Sequence, residues 1–410
     1  MFRAKGITRD RAAANRDVLK ACAVLGACFA IAVAAAYFAT VDFGAPIPRD
    51  DSGLILGREF LNVWMQGRAA WLAEPSQWYD AQAYQRVLAI LLGNDYPQQS
   101  LTATPAGMLL AAPFGRLGYL TALGLWTALG MALYVSTLAR YLPGQRAFLA
   151  ALCAPAAIVG LIFGQSALIT AAMLTGIFAW LDRWPFVAAL LIGLLLMVKP
   201  QVAALFPIML IASGRWRVLA AAAATGIVLF AASTALFGIE SWLAFVTKAL
   251  PAASAAMANA DEIGRLYSPT LFMNLRSAGA SYGLALTGQF FSAAAACAAV
   301  AWTFRRHREA DPQRLAALFL ACSIAAMPVL MASDTLALTL TVLALLQTGA
   351  LDRRERLLAR LVYWLPLLQM LCGAVLIPGP ALIAPVFALA LVWRLWRAES
   401  GAAVPALRPA

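Results

Sequence analysis

Charged side chains are scarce in this chain, and their scarcity excludes a soluble globular protein. They occupy 12% of the 410 positions, whereas hydrophobic residues occupy 63%. A soluble domain is usually about half apolar and about a quarter charged. Apolar stretches of about 20 residues, the length of a membrane-crossing helix, recur along the whole chain. The sequence therefore predicts an all-α polytopic membrane protein, with a single integral membrane domain over residues 1–410.

Residues that build metal sites and disulfide frameworks are also in short supply. The chain has one histidine, His307, which lies in the basic segment RRHRE. Each of the six cysteines lies in an apolar stretch. Because they show neither metal-ligand spacing nor a disulfide pattern, we expect them to pack as small apolar side chains. We expect no metal and no other cofactor, although an outward-facing pair of aspartates would offer Mg²⁺ or Mn²⁺ carboxylate ligands beside lipid-phosphate oxygens.

The apolar stretches predict twelve membrane spans, the first of which follows a basic N-terminal run. No small-residue cleavage site follows that run, so we expect a retained signal anchor. The predicted spans lie near residues 18–40, 117–139, 147–163, 166–181, 186–198, 201–213, 218–236, 281–303, 315–331, 335–350, 358–376 and 381–396. The segment 105–115 is too short to cross, and we expect it to enter the membrane obliquely or to lie in the interface.

The distribution of basic residues predicts the orientation of these spans. The loops of one side, together with both termini, carry 22 Lys and Arg against 8 Asp and Glu, and the other side carries 9 against 11. Cytoplasmic loops are enriched in Lys and Arg, so we expect both termini in the cytoplasm of a bacterium, beneath its inner membrane. The net charge of +12 then reflects topology, and we expect no nucleic-acid partner. Two long segments, 42–104 and 237–280, face outward in this arrangement, the first with short amphipathic helices.

Further polar side chains collect at the same predicted outer end. They are Gln165 in an FGQ turn, Lys199 and Gln201 in MVKPQ, and Asp334 in MASD. Polar groups at membrane depth commonly line a substrate path. Each also has a structural alternative: Lys199 could extend to the lipid headgroups, while Gln165 or Asp334 could cap a helix.

This layout suits a lipid-phosphate substrate whose tail lies in the bilayer and whose headgroup lies at the outer surface. Cations such as Lys199, Arg265 and Arg276 would hold the phosphate. A carboxylate would deprotonate the hydroxyl of an acceptor. Trp64 and Tyr79 suit the face of a sugar, although an aromatic belt at the membrane interface is the more common role for such residues.

An ordered series of segments resembles family 87 of the glycosyltransferases, which have the GT-C fold. The series reads GREFLNVWMQGRAAW, WYDAQAY, FGQSALITAAML, LDRWPFVAALLIGLLLMVKPQ, SGRWRVLAAAAA and FGIESWLAFV, and the resemblance covers about residues 50–340. It implies a polyprenyl-phosphate-linked sugar donor, commonly mannose, and inverting transfer on the outer face to a lipid or glycan acceptor. It also implies a catalytic base in segment 42–104, where relatives read G-x-D-F-x-N-x-W and this chain has Glu59.

The resemblance also places Gln165, Lys199, Gln201 and Asp334 at recurrent polar positions of the family. This chain departs from the family at residues 102–107, which read TATPAG where relatives tend to have Tyr-Pro-Pro-His. It also has Ser-Asp at 333–334 where relatives tend to have Tyr-Asp. The departures indicate either a subfamily with another sugar or acceptor, or a member that has lost the chemistry.

The carboxylates near Glu59 leave a second assignment open. Asp50 and Asp51 are reserve candidates for the base, although an acidic pair in PIPRDDSG is more typical of a solvated turn. A carboxylate near Glu59 would raise its pKa, whereas a cation such as Arg58 or Arg68 would lower it.

Two other classes of function compete with the enzyme. A lipid or solute transporter often shows internal repeats and charges near the middle of the membrane. We find no such repeat, and the charges lie toward one end of the predicted spans. The other competitor is a catalytically inactive scaffold in envelope-glycan assembly, which the departures from the family pattern leave open.

Overall fold

The regular structure of this protein is helical. Its computed structural model describes residues 2–259 and 266–399, together with the side chains of most of them. Within these ranges the extended pairings are isolated bridges from Arg49 to Asp42 and to Ile55. The prediction of an all-α protein is therefore confirmed for the described part of the chain.

The α-helices are numbered here in chain order. They are α1 (Phe2–Ala39), α2 (Phe60–Ala69), α3 (Ala81–Leu92), α4 (Pro105–Gly115), α5 (Tyr119–Tyr141), α6 (Gln145–Leu152), α7 (Pro155–Ile162), α8 (Ala167–Trp180), α9 (Pro185–Val198), α10 (Pro200–Ala203), α11 (Phe206–Ala212), α12 (Trp216–Phe237), α13 (Ile239–Ala244), α14 (Leu250–Asn259), α15 (Leu271–Ser277), α16 (Tyr282–Arg306), α17 (Pro312–Ala326), α18 (Leu336–Gln347), α19 (Arg353–Tyr363), α20 (Leu365–Ala374) and α21 (Ile383–Glu399). Short 3₁₀ helices cover Pro75–Tyr79, Ala332–Thr335 and Gly379–Leu382, and a π-helical turn covers Phe245–Ala249.

Several helices are long and apolar enough to cross a membrane. Within the described residues there are six: Ala12–Ala39, Tyr119–Tyr141, Gln145–Ile162, Trp216–Phe237, Tyr282–Arg306 and Gly379–Glu399. A seventh arises if α19 and α20, which meet at a bend of 66°, form one span. The protein is therefore a polytopic membrane protein, as predicted.

The expected number of twelve spans is not confirmed. The other predicted spans correspond to short apolar helices, Ala167–Trp180, Pro185–Val198, Pro200–Ala212, Pro312–Ala326 and Ala332–Gln347. Two of these, α17 and α18, are buried on nearly all sides. An apolar run of about 10–14 residues has the same composition whether it belongs to a span or fills a core, so the number of spans stays a prediction.

Prolines explain where many of these helices begin. Pro105, Pro155, Pro185, Pro200 and Pro312 each lie in the first turn of a helix. A proline fits this position because its missing N–H would have no partner there, and its fixed φ already suits the helix. The apolar stretches are thereby divided into short helices that can pack at different angles.

Segment 42–104 has an apolar core of its own. Buried side chains of α2 and α3, among them Phe60, Trp64 and Tyr84, pack with Tyr119 from the start of α5. Helix α4 crosses α2 so closely that a Cβ added at Gly115 would lie 2.0 Å from the carbonyl carbon of Gly67. Segment 105–115 is therefore a helix packed against α2, and its position relative to the membrane stays a prediction.

The two long segments predicted to face outward contact each other. The ring of Tyr79 packs edge-on against Phe245 at 6.0 Å. Asp80 caps α3 by accepting hydrogen bonds from the amides of Gln82 and Ala83, and its other oxygen lies 3.5 Å from Lys248 Nζ. This exposed ion pair adds little stability, but it shows that segments 42–104 and 237–280 meet.

Candidate active site

Glu59 is held in place by the turn between α7 and α8. Its amide donates a hydrogen bond to the carbonyl of Phe163 at 2.9 Å. The next residue of that turn, Gly164, has φ +68°, and a Cβ there would lie 3.0 Å from Cβ of Phe60 and 3.1 Å from the carbonyl oxygen of Gly57. Only glycine combines this positive φ with so close an approach of two backbones. The loop that carries Glu59 is therefore locked against the FGQ turn.

Lys199 and Asp334 form an ion pair in the protein interior. Their side chains are 17% and 3% exposed, respectively. Lys199 Nζ also donates to Ser166 Oγ at 3.2 Å. Lys199 joins α9 to α10, Asp334 lies in the 3₁₀ turn before α18, and Ser166 precedes α8. Three helical connections that are far apart in sequence therefore meet at one point.

This arrangement decides between the alternatives for two of these residues. Lys199 is directed to Asp334 rather than to lipid headgroups. Asp334 does not cap α18, because Thr335 is the residue at the cap position and no side chain bonds to the first amides. An aspartate this deeply buried requires a cation beside it, and Lys199 supplies one.

The carboxyl group of Glu59 lies in the electrostatic field of the same cluster. Burial raises the pKa of Glu59 above its ordinary value, Arg58 and Lys199 act to lower that pKa, and Asp334 raises it further. Among the described residues, none donates a hydrogen bond to this carboxyl group or forms an ion pair with it. A carboxylate with a raised pKa and free oxygens is suited to accept a proton.

Arg58 is a member of the site that the sequence motifs did not identify as a binding residue. Its guanidinium carbon lies 4.0 Å from the ring centre of Phe163 and 5.4 Å from that of Tyr267. Tyr267 reaches the site because the following segment is anchored, with Thr270 Oγ1 donating to the carbonyl of Pro328 at 2.7 Å. The signal available in the sequence was the position of Arg58 directly before the catalytic candidate.

The glutamines lie beside this cluster. The amide of Gln165 donates to the carbonyl of Gly160 at 2.8 Å, and the residue precedes Ser166 directly. Gln201 is the second residue of α10, two positions after Lys199, and is half-buried. Both therefore neighbour the Lys199–Asp334 pair along the chain, and their roles toward a substrate stay predictions.

Other predicted site residues have structural partners elsewhere. Trp64 is 4% exposed, and its indole donates to the carbonyl of Leu117 at 2.9 Å. The hydroxyl of Tyr79 donates to the carbonyl of Ala103 at 3.0 Å. Arg276 donates to the carbonyl of Ala280 at 2.7 Å, just beyond the end of α15. Arg265 lies outside the described residues.

The reserve candidates for the base lie in a turn. One oxygen of Asp50 accepts hydrogen bonds from the amides of Ser52 and Leu54, at 3.0 and 3.1 Å. Asp51 is exposed. This is the turn geometry that an aspartate side chain typically stabilises, and it engages Asp50 with its own backbone.

An apolar groove begins beside the candidate site. It has a volume of about 520 Å³ and lies between α5 and α8. Its lining runs along α5 from Trp126 to Tyr141 and is hydrophobic except for a few side chains such as Thr137 and Arg140. The indole of Trp126 donates to the carbonyl of Gly164 at 3.2 Å, so the groove starts at the turn that holds Glu59.

Potential metal ligands are sparse at the site. The described residues include no group of three or more His, Cys, Asp or Glu side chains that could hold a metal ion. The charged side chains that act on Glu59 are Arg58, Lys199 and Asp334. These four charged side chains can take part in acid–base and electrostatic chemistry.

Comparison with known proteins gives one match. The model of glycosyltransferase family 87 matches residues 102–333, which is more than half of the chain. No curated protein and no solved structure matches. The matched range includes Lys199 and both glutamines, whereas Glu59 precedes it and Asp334 follows it directly.

Proposed function

Because the chain belongs to glycosyltransferase family 87, we propose that it transfers a sugar from a polyprenyl-phosphate donor to a lipid or glycan acceptor. The coarser activity, that of a membrane glycosyltransferase, follows from the family and from the apolar helices. Mannose is the first sugar to test, and the outer face of a bacterial inner membrane is the proposed place of the reaction. Both rest on the family resemblance and on the distribution of basic residues.

One observation carries the proposed mechanism. The carboxyl group of Glu59 lies in the electrostatic field of Lys199 and Asp334, although these residues come from three separate segments of the chain. A general base must accept a proton near the working pH, and a carboxyl group with a raised pKa does this better than an ordinary one. The free oxygens of Glu59 support its assignment as that base.

The reaction then runs as a single displacement at the anomeric carbon. Glu59 removes the proton from the acceptor hydroxyl, whose oxygen forms a bond to the anomeric carbon as the bond to the phosphate oxygen breaks. The donor leaves as polyprenyl phosphate, and the configuration of the sugar is inverted. Cations at the site stabilise the charge that grows on the departing phosphate.

The groove between α5 and α8 supports a lipid-linked donor. Its hydrophobic walls suit a hydrocarbon chain, and it begins where Trp126 contacts Gly164. A donor with its prenyl chain in this groove would have its phosphate near the FGQ turn and therefore near Glu59.

The test is transfer by purified protein in lipid nanodiscs, with polyprenyl-phosphate mannose and candidate acceptors. We expect Glu59→Gln to lower the rate by about 100-fold to 10,000-fold, the usual contribution of a general base. Glu74→Gln is the matched control, because Glu74 is an exposed glutamate of the same segment. Absence of transfer from every polyprenyl-phosphate sugar, together with lipid movement in liposomes, would favour a transporter instead.

A further inference from the structure

Among the described residues, the cations that the sequence assigned to the donor phosphate are engaged with other groups. Lys199 already neutralises Asp334, so the pair as a whole carries no net charge. Arg276 donates to a backbone carbonyl beyond α15, and Arg265 lies outside the described residues. An anionic phosphate at this site requires a positive charge that a carboxylate does not already neutralise.

Arg58 has that property within the described part of the chain. No carboxylate lies within ion-pair distance of its guanidinium there, and neither its terminal nitrogens nor its Nε makes a hydrogen bond. Phe163 and Tyr267 contact the guanidinium through their rings. An aromatic ring stacks on the flat face of a guanidinium and leaves the N–H groups at its edge available to a ligand.

The Nε atom gives an independent indication of a ligand. It is buried and has no hydrogen-bond partner among the described residues. A buried donor without a partner is unfavourable, and such atoms in native proteins usually have a role. A phosphate oxygen bound at the edge of the guanidinium would satisfy Nε and one terminal nitrogen together, in the two-point geometry that arginine forms with phosphates.

We propose that Arg58 binds the phosphate of the polyprenyl-phosphate donor, held in position by the rings of Phe163 and Tyr267. The proposal rests on the proposed function and adds a residue to it. Arg58 stabilises the phosphate as it leaves and transfers no proton, because a guanidinium stays charged. Adjacent residues of one loop thus serve the two partners of the displacement, with Glu59 at the acceptor and Arg58 at the leaving group.

Binding of undecaprenyl phosphate, measured against uncharged undecaprenol in nanodiscs, tests this assignment. We expect the wild-type protein to prefer the phosphate, and Arg58→Gln to lose about tenfold or more of its affinity for the phosphate while keeping its affinity for undecaprenol. Arg58→Lys should recover part of the affinity, because an ammonium keeps the charge but not the two-point geometry. Arg68→Gln is the matched control, since Arg68 stacks on Trp64 at 4.9 Å in the same segment.

Each outcome has a defined meaning. Unchanged phosphate affinity in Arg58→Gln would overturn the assignment, as would equal losses for the phosphate and for undecaprenol, which would indicate a structural role. If Arg58→Gln unfolds, Arg58→Lys takes its place. A loss of affinity for the phosphate alone would then support the assignment, and no loss or equal losses for both ligands would overturn it. A wild-type protein that neither binds undecaprenyl phosphate nor transfers a sugar would instead reject the proposed function itself, and the inference with it.

Discussion

The amide of Glu59 donates a hydrogen bond to the carbonyl of Phe163, and the two atoms lie 2.9 Å apart. The same phenylalanine contacts the guanidinium of Arg58 with its ring. One residue of the turn between α7 and α8 therefore positions both the candidate base and the candidate phosphate ligand. Displacement of this turn is expected to disturb both groups together, since catalysis tolerates little displacement of its groups.

Gly164→Ala is expected to show this dependence. The added Cβ would meet Phe60 and Gly57 at a residue with φ +68°, so the turn must move away from the loop that carries Glu59. We expect transfer to fall by about 100-fold, the effect of a displacement near one ångström. Gly214→Ala is the matched control, because Gly214 has φ +69° and nothing within 4 Å of the added carbon. Equal loss of transfer in the two variants would contradict the prediction.

The raised pKa of Glu59 predicts how transfer depends on pH. The base works only when it is ionised, and burial raises its pKa above the ordinary glutamate value. As the pH falls, transfer should therefore decline at a higher pH than an exposed carboxylate would require. The rate of transfer, measured against pH with saturating donor, shows where this decline on the acidic side begins. A decline that begins only at the pKa of an exposed glutamate would argue against Glu59 as the base.

The same pKa predicts how Glu59 affects stability. A group whose folded-state pKa is raised favours the folded state below its unfolded pKa, and that contribution is lost as the pH rises through the folded pKa. Ionised Glu59 should therefore destabilise the wild-type protein at alkaline pH. We expect Glu59→Gln to unfold at a higher temperature than the wild type at pH about 8, with a smaller difference at pH about 5. Thermal unfolding at the two pH values measures this, and a difference that does not vary with pH would contradict it.

The Lys199–Asp334 pair predicts a strong dependence of stability on both partners. Lys199→Met should destabilise the protein by about 3–5 kcal/mol, because it leaves Asp334 charged and buried without a partner. Lys199→Met combined with Asp334→Leu should regain most of that stability, since no unpaired charge remains. Thermal unfolding measures both effects. Equal stability of the single and the double variant would show that the two charges are not coupled.

The double variant also separates stability from function. Lys199 is neutralised by Asp334 and Arg58 is the proposed phosphate ligand, so donor affinity should return toward the wild-type value where the fold is restored. Wild-type affinity in a stable double variant would limit Lys199 to its structural role beside Asp334 and Ser166.

The sequence predicted which residues belong to this site better than it predicted which of them contact one another. Polar residues that interrupt apolar runs are visible in any hydropathy pattern, and this is how we identified Gln165, Lys199 and Asp334. The pairing of Lys199 with Asp334 was not predicted, because they lie 135 positions apart and no local pattern links them. Arg58 was identified only as a modulator of Glu59, since its aromatic partners come from two other parts of the chain.

The number of membrane spans shows a second limit of prediction from the sequence. Short apolar runs such as those of α17 and α18 have the composition of membrane helices, yet they are enclosed by protein. Hydrophobicity reports that a residue avoids water and does not distinguish lipid from a protein core. The turn around Asp50, by contrast, was predictable because its hydrogen bonds reach only two and four residues along the chain.

The turn at Asp50 leads to the prediction that separates the two candidates for the base. Asp50→Asn keeps an oxygen that can accept from the amides of Ser52 and Leu54, so the turn should persist and transfer should stay close to the wild-type rate. Asp50→Ala removes that acceptor and should cost about 0.5–2 kcal/mol, as loss of a comparable capping bond does, with transfer again retained. Measured beside Glu59→Gln, these variants assign the proton acceptor. Transfer that survives Glu59→Gln and fails in Asp50→Asn would move the base to Asp50, because asparagine preserves the turn and removes only the charge.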